Sequence, residues 1–310
     1  MASLFDNKMD LNEKKDHIVV WFKELQDQIC RELEEEDGLT KFKQDLWDRP
    51  EGGGGRTRVI SNGNIFEKGG VNFSAVQGPT PQKILEALKL DKAEFFATGV
   101  SIVLHPKNPF VPIIHMNVRF FLMSNGVHWF GGGIDLTPHY IENEDAQSFH
   151  LALKETCDSY TPSAYEKFKN WADDYFYIKH RKETRGVGGI FFDRLSNSEE
   201  IDFEQHWSFV QNVGKTFIPA YLPIVRKNKN KSFTKENKLW QSVRRGRYVE
   251  FNLVYDKGTK FGLDTDGRIE SILMSMPPQA QWHYNFIPKS GSEEERTLSL
   301  LKKGIDWTNM

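Results

Sequence analysis

Two strand-like segments joined by a short turn constrain the fold of this chain most strongly. Residues 113–123 and 128–136 are typical of strands, and Ser124-Asn125-Gly126 lies between them. A connection this short joins antiparallel neighbours, because parallel strands need a crossover of a dozen or more residues. The sequence therefore predicts a β-hairpin at the centre of an antiparallel sheet.

The length of the turn decides which side chains of the hairpin share a face. A three-residue turn, with Gly126 in the left-handed conformation, pairs Met123 with Val127 and His115 with Asp135. A two-residue turn would send Asp135 to the opposite face. We adopt the three-residue register, which places His115 and Asp135 together.

Further segments with strand or helix patterns surround this hairpin. Strands are predicted at 99–105, 185–193, 247–255 and 269–276, with two short strand-like pieces around an Asn62-Gly63 turn. Helices are predicted at 13–34, 143–159, 163–180, 202–217, 236–244 and 293–304. Antiparallel strands with helices on their faces predict one α+β domain over residues 1–310, in which residues 1–12 form a flexible N-terminal segment.

A run of four glycines, Gly52 to Gly55, precedes the Asn62-Gly63 turn. The run lacks the Gly-Lys-Ser/Thr ending of a nucleotide-binding loop, and no helix pattern follows it, which argues against a phosphate cradle. We expect a mobile flap that closes over a ligand, because glycine backbone can approach a ligand closely.

Charge and cysteine content argue against several functional classes. The formal net charge of -2 disfavours nucleic acid as the main partner. Cys30 and Cys157 lack the spacing of a disulfide framework, a thiolate zinc site or an iron–sulfur cluster. No apolar run reaches the roughly 20 residues of a membrane span. Residues 1–16 lack the features of a signal or transit peptide, so we expect a cytoplasmic protein.

The first strand of the hairpin has a polar face and an apolar face. Strand alternation places His115, Asn117 and Arg119 on the same side. These groups can bind a carboxylate, but a solvated outer face carries the same residue types, and both interpretations stay open. In the partner strand, the glycines at 131–133 indicate close approach of a ligand or of backbone.

Three further basic clusters lie at residues 180–185, 244–247 and 266–268. Each cluster alone is typical of a surface charge run. Together, in a net-acidic chain, they indicate an anionic ligand with several separated carboxylates. Arginine suits such a ligand, because its planar guanidinium binds a carboxylate at two points and stays charged.

Four histidines, His105, His115, His150 and His180, are candidate metal ligands. Their spacings match no compact metal-binding motif, so a required metal is not favoured, although these four would be its ligands. A catalytic or ligand-contacting role is favoured for His115, because imidazole titrates near neutral pH.

Long stretches of the chain resemble a known family. From about Phe42 to Trp307 the sequence closely resembles the oxygen-dependent coproporphyrinogen-III oxidases. The matching stretches are RPEGGGGRTRV (49–59), GVNFSAVQG (70–78), GVSIVLHPKNPFVP (99–112), HMNVRFF (115–121), WFGGGIDLTP (129–138), DDYFYIKHR (173–181), RGVGGIFFD (185–193), RRGRYVEFNLVYDKGTKFGL (244–263) and DGRIESILMSMPP (266–278).

The resemblance implies a fold, an assembly and a set of site residues. It implies a homodimer joined through residues 240–275, in which each subunit has a large flat antiparallel sheet of about seven strands, covered on both faces by helices. It implies that His115 donates a proton and that Asp135 and Arg119 act with it in catalysis. The implied substrate-binding positions are Ser101, Asn117, Val118, Arg119, Arg185, Asp266, Gly267 and Arg268.

The implied reaction converts the ring A and ring B propionates of coproporphyrinogen III into vinyl groups, giving protoporphyrinogen IX for haem synthesis. O2 is the co-substrate, and no cofactor is required. We expect Asp135 to hold or deprotonate a pyrrole N–H and His115 to relay protons. We expect Arg119 to anchor the reacting carboxylate, and Arg185 and Arg268 to hold others.

Two alternatives remain on the sequence alone. One is a histidine-metal-dependent oxygenase that acts on another polycarboxylate. The other is a tetrapyrrole-binding protein without catalytic activity.

Overall fold

The computed structural model describes residues 10–80, 82, 85–86, 92–264 and 267–310. The helices within these residues are α1 (Leu11–Asp37), α2 (Asn143–Asp158), α3 (Ala164–Tyr175), α4 (Phe203–Asn228), α5 (Lys235–Val254), α6 (Lys257–Asp264), α7 (Ile269–Leu273) and α8 (Glu293–Leu300). The strands are β1 (Lys43–Asp48), β2 (Gly53–Ser61), β3 (Phe66–Pro79), β4 (Glu94–Pro106), β5 (Ile113–Met123), β6 (His128–Thr137), β7 (Tyr177–Ile178), β8 (Glu183–Thr184) and β9 (Gly188–Leu195).

Seven of these strands form one antiparallel sheet in the order β1-β2-β3-β4-β5-β6-β9, and β7 pairs with β8 separately. The predicted α+β class and its large antiparallel sheet are therefore confirmed. The predicted hairpin register is confirmed as well: the Met123 amide donates to the Val127 carbonyl at 2.8 Å, and His115 pairs with Asp135. Gly126 has φ +85°, as a three-residue turn requires.

One face of the sheet is apolar and packs against α1 and α4. Met116, Val118 and Phe120 of β5 point to this face and are fully buried in the main core. Each such side chain stabilises the fold by about 1.5–3 kcal/mol relative to an exposed one. The predicted stripe of α1 lies on this face, and a capping box of Asp10 and Glu13 fixes the start of that helix.

The opposite face is only partly covered. Tyr248 of α5 packs against Val103 and Ile113. Near the other edge, the Ser271 hydroxyl of α7 lies 2.9 Å from the Thr57 hydroxyl of β2. Helices therefore lie on both faces, as predicted, but the middle of this second face is left accessible.

Two predicted strands are wrong. Residues 247–254 belong to α5 and Tyr255 caps its C-terminus, because helical periodicity and a Thr234–Asn237 capping box override the alternation of polar and apolar residues. Residues 269–276 contain α7, whose apolar residues recur at three- and four-residue intervals. The buried side chains of α5 recur at helical spacing: Trp240, Arg244, Tyr248 and Phe251.

Other predicted boundaries shift for identifiable reasons. The strand predicted from Arg185 begins at Gly188, because the Arg185 amide donates instead to the Phe176 carbonyl at 2.9 Å. The helix predicted to reach residue 180 ends at Tyr175, since Tyr177–Ile178 pairs as β7.

The glycine run is not a separate flap. Gly53 to Gly55 lie in β2: Gly54 and Gly55 pair with both β1 and β3, and Gly53 pairs with β3 while its carbonyl accepts from the Arg49 amide at 2.8 Å. The chain is therefore held on both sides at these glycines. Of the predicted N-terminal segment, residues 1–9 lie outside the described residues.

Within the part of the chain that the structure describes, no helix is both long enough and apolar enough to cross a membrane.

Candidate active site

The accessible face of the sheet carries a band of small and polar residues, here called the floor. Asn72, Ser101 and Asn117 lie side by side on β3, β4 and β5. Small side chains leave a shallow surface between the helices that cover the rest of this face. The neighbouring row of the floor consists of Gly55, Ser74, Gly99, Arg119 and Gly131.

A buried ion pair lies beside the floor, under one partly exposed histidine. Asp135 is 1% exposed, and its oxygens accept from the Arg185 guanidinium at 2.8 and 2.9 Å. His115 is 21% exposed, and its Nδ1 lies 2.8 Å from Asp135 Oδ1. The hairpin register places these two side chains opposite each other, and the turn before β9 brings Arg185 to the same carboxylate.

Aromatic rings enclose the Arg185 guanidinium. Phe176, Tyr248 and Phe251 have ring centroids 4.4, 4.7 and 4.7 Å from its central carbon. Asn252 accepts from Nη1 at 2.8 Å. These contacts offset part of the cost of burying the charge, although the buried Nε has no hydrogen-bond partner among the described residues.

The ion pair fixes the charge of Asp135. Burial alone would raise the pKa of Asp135, but Arg185 and His115 hold it below the ordinary value. A carboxylate only accepts hydrogen bonds, so the Nδ1 of His115 carries the proton in this contact. The Nε2 of His115 has no partner among the described residues, so the partly exposed ring can exchange a proton with a bound ligand.

Arg119 extends across the floor. Its Nη1 donates to Asn117 Oδ1 and its Nη2 to Asp193 Oδ1, both at 2.8 Å. A methyl group on Gly131 would lie 2.8 Å from both Nε and Nη2 of Arg119, so a larger residue would displace the guanidinium. The Arg119 side chain is 35% exposed, and most of its N–H groups are available to a carboxylate.

A second exposed arginine lies at the other edge of the sheet. Arg268 donates to Asp45 of β1 and to Ser271 at 3.3 Å. Its guanidinium carbon lies 5.8 Å from the Trp47 ring centroid. Trp47 lies over Gly55, where a methyl group would come within 2.2 Å of the indole. The glycine at this position therefore makes room for an aromatic ring at the end of the floor.

The structure brings together only part of the predicted site. Ser101, Asn117 and Arg119 lie on the floor, and His115 lies beside it. The Val118 side chain points into the apolar core, because its strand alternates, so only its backbone can face a ligand. Gly267 donates its amide to the Gly262 carbonyl at 2.8 Å, and Asp266 lies outside the described residues.

Most arginines of the predicted basic clusters are structural. Arg185 is 3% exposed and paired with Asp135, so it does not present a guanidinium to a ligand. Arg244 donates to Glu183 and Arg245 to Glu67, each at 2.7 Å. These charges stabilise contacts between helices and loops, whereas Arg119 and Arg268 are partly exposed beside the floor.

The four candidate histidines do not form a metal site. His105 Nε2 lies 2.8 Å from the Ser275 carbonyl, and both ring nitrogens of His150 have protein partners. His180 bonds to Tyr255 and Glu250. No group of three or more His, Cys, Asp or Glu residues within the described ranges could hold a metal ion. The residues present therefore do not fit a four-histidine centre, the alternative that the sequence did not favour.

Sequence reasoning missed several residues of this site. Trp47, Asp45 and Asp193 come from the two edge strands, and Asn252 comes from α5. Gly55 was the available signal for Trp47, because a glycine in a strand often accommodates a neighbouring ring. Asp193 has no comparable local signal.

Comparisons with known proteins identify the family of the chain. A family model described as coproporphyrinogen III oxidase matches residues 17–307. Coproporphyrinogen-III oxidase 1, chloroplastic, of Arabidopsis thaliana is 50% identical over 297 residues, which are 91% of this chain and 76% of the relative. The oxygen-dependent coproporphyrinogen-III oxidase of Prochlorococcus marinus is 48% identical over 309 residues, 92% of this chain and 90% of the relative. The mitochondrial oxygen-dependent enzyme of Rattus norvegicus is 47% identical over 312 residues, 96% of this chain and 70% of the relative.

Proposed function

The chain belongs to the coproporphyrinogen III oxidase family, and we propose that it converts coproporphyrinogen III into protoporphyrinogen IX in haem biosynthesis, with O2 as the oxidant. One observation carries this proposal: His115, held by a buried Asp135–Arg185 pair, lies on the same strand face as Arg119. A proton-transfer group beside a carboxylate-binding group suits decarboxylation of a propionate.

The reaction proceeds in two steps, one for each propionate of rings A and B. In each step a –CH2–CH2–COO⁻ group becomes –CH=CH2, with loss of CO2, one proton and two electrons. The two electrons and two protons reduce one O2 to hydrogen peroxide. O2 adds to a pyrrole that has given up its N–H proton, which forms a carbon–oxygen bond. The distal peroxide oxygen takes a proton from the propionate β-carbon, the electron pair of that C–H bond passes into the ring, and the carbon–oxygen bond breaks. The electron pair of the bond to the carboxylate forms the vinyl double bond as CO2 leaves, the departing peroxide is protonated to hydrogen peroxide, and the pyrrole nitrogen regains its proton.

His115 supplies and removes protons in this scheme. The ionised Asp135 keeps Nδ1 protonated and directs Nε2 away from the ion pair. The imidazole can then give a proton to the departing peroxide or take one from a pyrrole N–H. Such proton transfer by a positioned side chain contributes about 10²–10⁴-fold to rate.

The geometry changes the role assigned to Asp135. The sequence led us to expect a direct contact with a pyrrole N–H. Asp135 is fully buried, and its oxygens are already engaged by Arg185 and His115. We therefore assign Asp135 to the orientation and charge of His115, and the pyrrole contact to His115 itself.

Arg119 and Arg268 bind substrate carboxylates in this proposal. Both guanidiniums are partly exposed at the margins of the floor, and each is held by an aspartate of an edge strand. A reduced, flexible tetracarboxylate lying on the floor can meet both groups. Positioning of the reacting propionate next to His115 supplies much of the rate.

We propose that the reaction needs no resident metal or organic cofactor. Metal-stripped protein, checked by elemental analysis, is incubated with coproporphyrinogen III in air and under nitrogen. We expect CO2, the vinyl product and hydrogen peroxide in air only. Turnover that requires an added metal, or product formed under nitrogen, would contradict this proposal.

We propose a homodimer that forms through residues 240–275. Leu253 and Val254 at the end of α5, and Ile269 of α7, are exposed apolar side chains within that range. Ile269→Asp is expected to shift the protein to the monomer mass in light scattering, because a charge would be buried at the interface. Leu151→Asp, at an exposed position of α2, is the control and should leave the mass unchanged. An unchanged mass for Ile269→Asp would contradict this arrangement.

A cytoplasmic location stays a prediction. Relatives of this chain carry chloroplastic or mitochondrial names. Imaging of the full-length protein with a C-terminal fluorescent tag tests the prediction, and organelle fluorescence would contradict it.

A further inference from the structure

The edge strand β9 contains a bulge next to the floor. Asp193 and Arg194 together lie opposite Gly131, where a regular ladder would place one residue. Arg194 has φ +52°, in the left-handed region that favours glycine. Bulges re-aim side chains and recur beside active sites, so this one calls for a functional explanation.

The bulge serves two faces of the sheet at once. Strict alternation would send Asp193 and Leu195 to the same face. With one extra residue between them, Leu195 packs against the apolar core while Asp193 faces the floor. Alternation along β9 from Phe191 keeps Asp193 on the floor, and the bulge after it turns Leu195 towards the core.

Asp193 and Asn117 hold the Arg119 guanidinium between them. Asn117 accepts from Nη1 and Asp193 from Nη2, each at 2.8 Å. Among the described residues, these are the side chains that hydrogen-bond to Arg119. Gly131 leaves the space in which the guanidinium lies. Three of the five N–H groups of the guanidinium remain available to a ligand.

We propose that Asp193 is a positioning residue for Arg119, and that it sets the affinity of the site for a substrate carboxylate. This inference rests on the proposed function, in which Arg119 binds a propionate. A negative charge beside an anion-binding group repels the same substrate, so charge attraction does not explain the aspartate. The aspartate is explained by orientation, because a guanidinium held in place presents its free N–H groups to the substrate carboxylate in one geometry.

The ion pair itself has little structural value. Both side chains are about one-third exposed, and surface pairs of this kind contribute little to stability because water screens them. Replacement of Asp193 should therefore leave the fold intact and change the behaviour of Arg119. Unchanged stability together with a changed KM would distinguish a positioning role for Asp193 from a structural one.

The test compares steady-state kinetics with coproporphyrinogen III in air for a set of variants. Asp193→Ala is expected to raise KM about tenfold, the equivalent of losing one charge-assisted hydrogen bond. Asp193→Asn keeps an acceptor for Nη2 and should stay within about threefold of the wild type. In an Arg119→Ala background, Asp193→Ala should change KM by less than about twofold, because the group it positions is gone.

Asp158→Ala is the matched control, because it removes an exposed aspartate that pairs with Lys154 on α2. An unchanged KM for Asp193→Ala, or an equal rise in the Arg119→Ala background, would overturn the inference. Failure of the wild type to release CO2 would instead contradict the proposed function. The same variants would then be compared by fluorescence titration with coproporphyrin III, where the same pattern of affinities supports the inference and equal affinities overturn it.

Discussion

Two arginines near the floor show how one residue type serves opposite purposes. Arg185 is buried, paired with Asp135 and enclosed by three aromatic rings. Arg119 lies in the open, with one edge held by Asn117 and Asp193. The first guanidinium is committed to the protein, whereas the second is held in place but still available.

The difference shows that the number of arginines does not measure the number of ligand carboxylates. A buried guanidinium neutralises a buried carboxylate and thereby fixes the histidine that the carboxylate touches. An exposed guanidinium at the margin of the floor can exchange a protein partner for a substrate carboxylate. The buried arginine and the exposed arginine differ in burial and in the number of N–H groups already engaged by the protein. Replacing the buried arginine should therefore lower stability, and replacing the exposed one should lower substrate affinity.

The largest expected effect is on stability. Arg185→Ala removes the fixed positive charge that pairs with buried Asp135 and leaves His115 as its remaining side-chain partner, so we expect a loss of about 3–5 kcal/mol in the free energy of unfolding. Arg268→Ala removes an exposed pair and should cost about 1 kcal/mol or less. Urea unfolding of the two variants measures this contrast. Equal losses in the free energy of unfolding would contradict the different roles assigned to the buried and the exposed arginine.

The next effect is on turnover. Asp135→Asn keeps the shape of the side chain but removes the charge that orients His115, so we expect kcat to fall about a hundredfold with a smaller change in KM. Single-turnover kinetics with coproporphyrinogen III measure the rate of the decarboxylation step. Near-wild-type kcat would contradict the role assigned to the buried pair.

A moderate effect is expected on substrate affinity. Gly131→Ala places a methyl group 2.5 Å from Asp193 Oδ1 and 2.8 Å from Arg119 Nε, so the carboxylate and the guanidinium that it holds must both move. We expect KM to rise about tenfold while kcat falls by a smaller factor, because His115 is not displaced. Gly258→Ala, where the nearest group is the flexible side chain of Asp256, is the control. A rise in KM for both variants would indicate a general disturbance.

The smallest expected effect is on the pH dependence of stability, through the carboxylate of Glu250. Glu250 accepts from His180, Arg181, Arg247 and Trp282. Although burial raises its pKa, these partners lower the pKa to about 2 from an ordinary value of 4.5. Its stabilising contribution is therefore present above pH 4.5 and is lost as the pH falls towards 2.

Glu250→Gln removes this titration, so the stability of the variant should depend less on pH below 4.5. The loss at neutral pH should be about 1 kcal/mol. Urea unfolding between pH 7 and pH 3 measures both quantities. A variant that loses stability with acid as steeply as the wild type would contradict the pKa assigned to Glu250.

The central hairpin could be predicted because its information is local. Turn length and a glycine fix the register of 113–137, and the register places His115 opposite Asp135. The functions of Arg185 and Arg119 could not be separated in this way. Their partners Tyr248 and Asp193 are more than sixty residues distant along the chain, and burial is a property of the assembled fold.

Predictions from local sequence were also wrong where the same residues fit both the two-residue period of a strand and the period of a helix. Residues 247–255 alternate like a strand, but the buried positions of α5 follow a helical period that extends back to Trp240. The bulge at Asp193 left no mark in the sequence, because an insertion in a ladder depends on the strand that it pairs with.

The most direct test of the account is the affinity of the site for coproporphyrin III, a tetracarboxylate that does not react. Fluorescence titration gives Kd for the wild type, Arg119→Ala, Arg268→Ala and the double variant. We expect each single replacement to weaken binding about tenfold and the pair about a hundredfold, since the two groups lie at opposite margins of the floor. A double variant that binds as tightly as the wild type would contradict the claim that the exposed arginines hold the substrate.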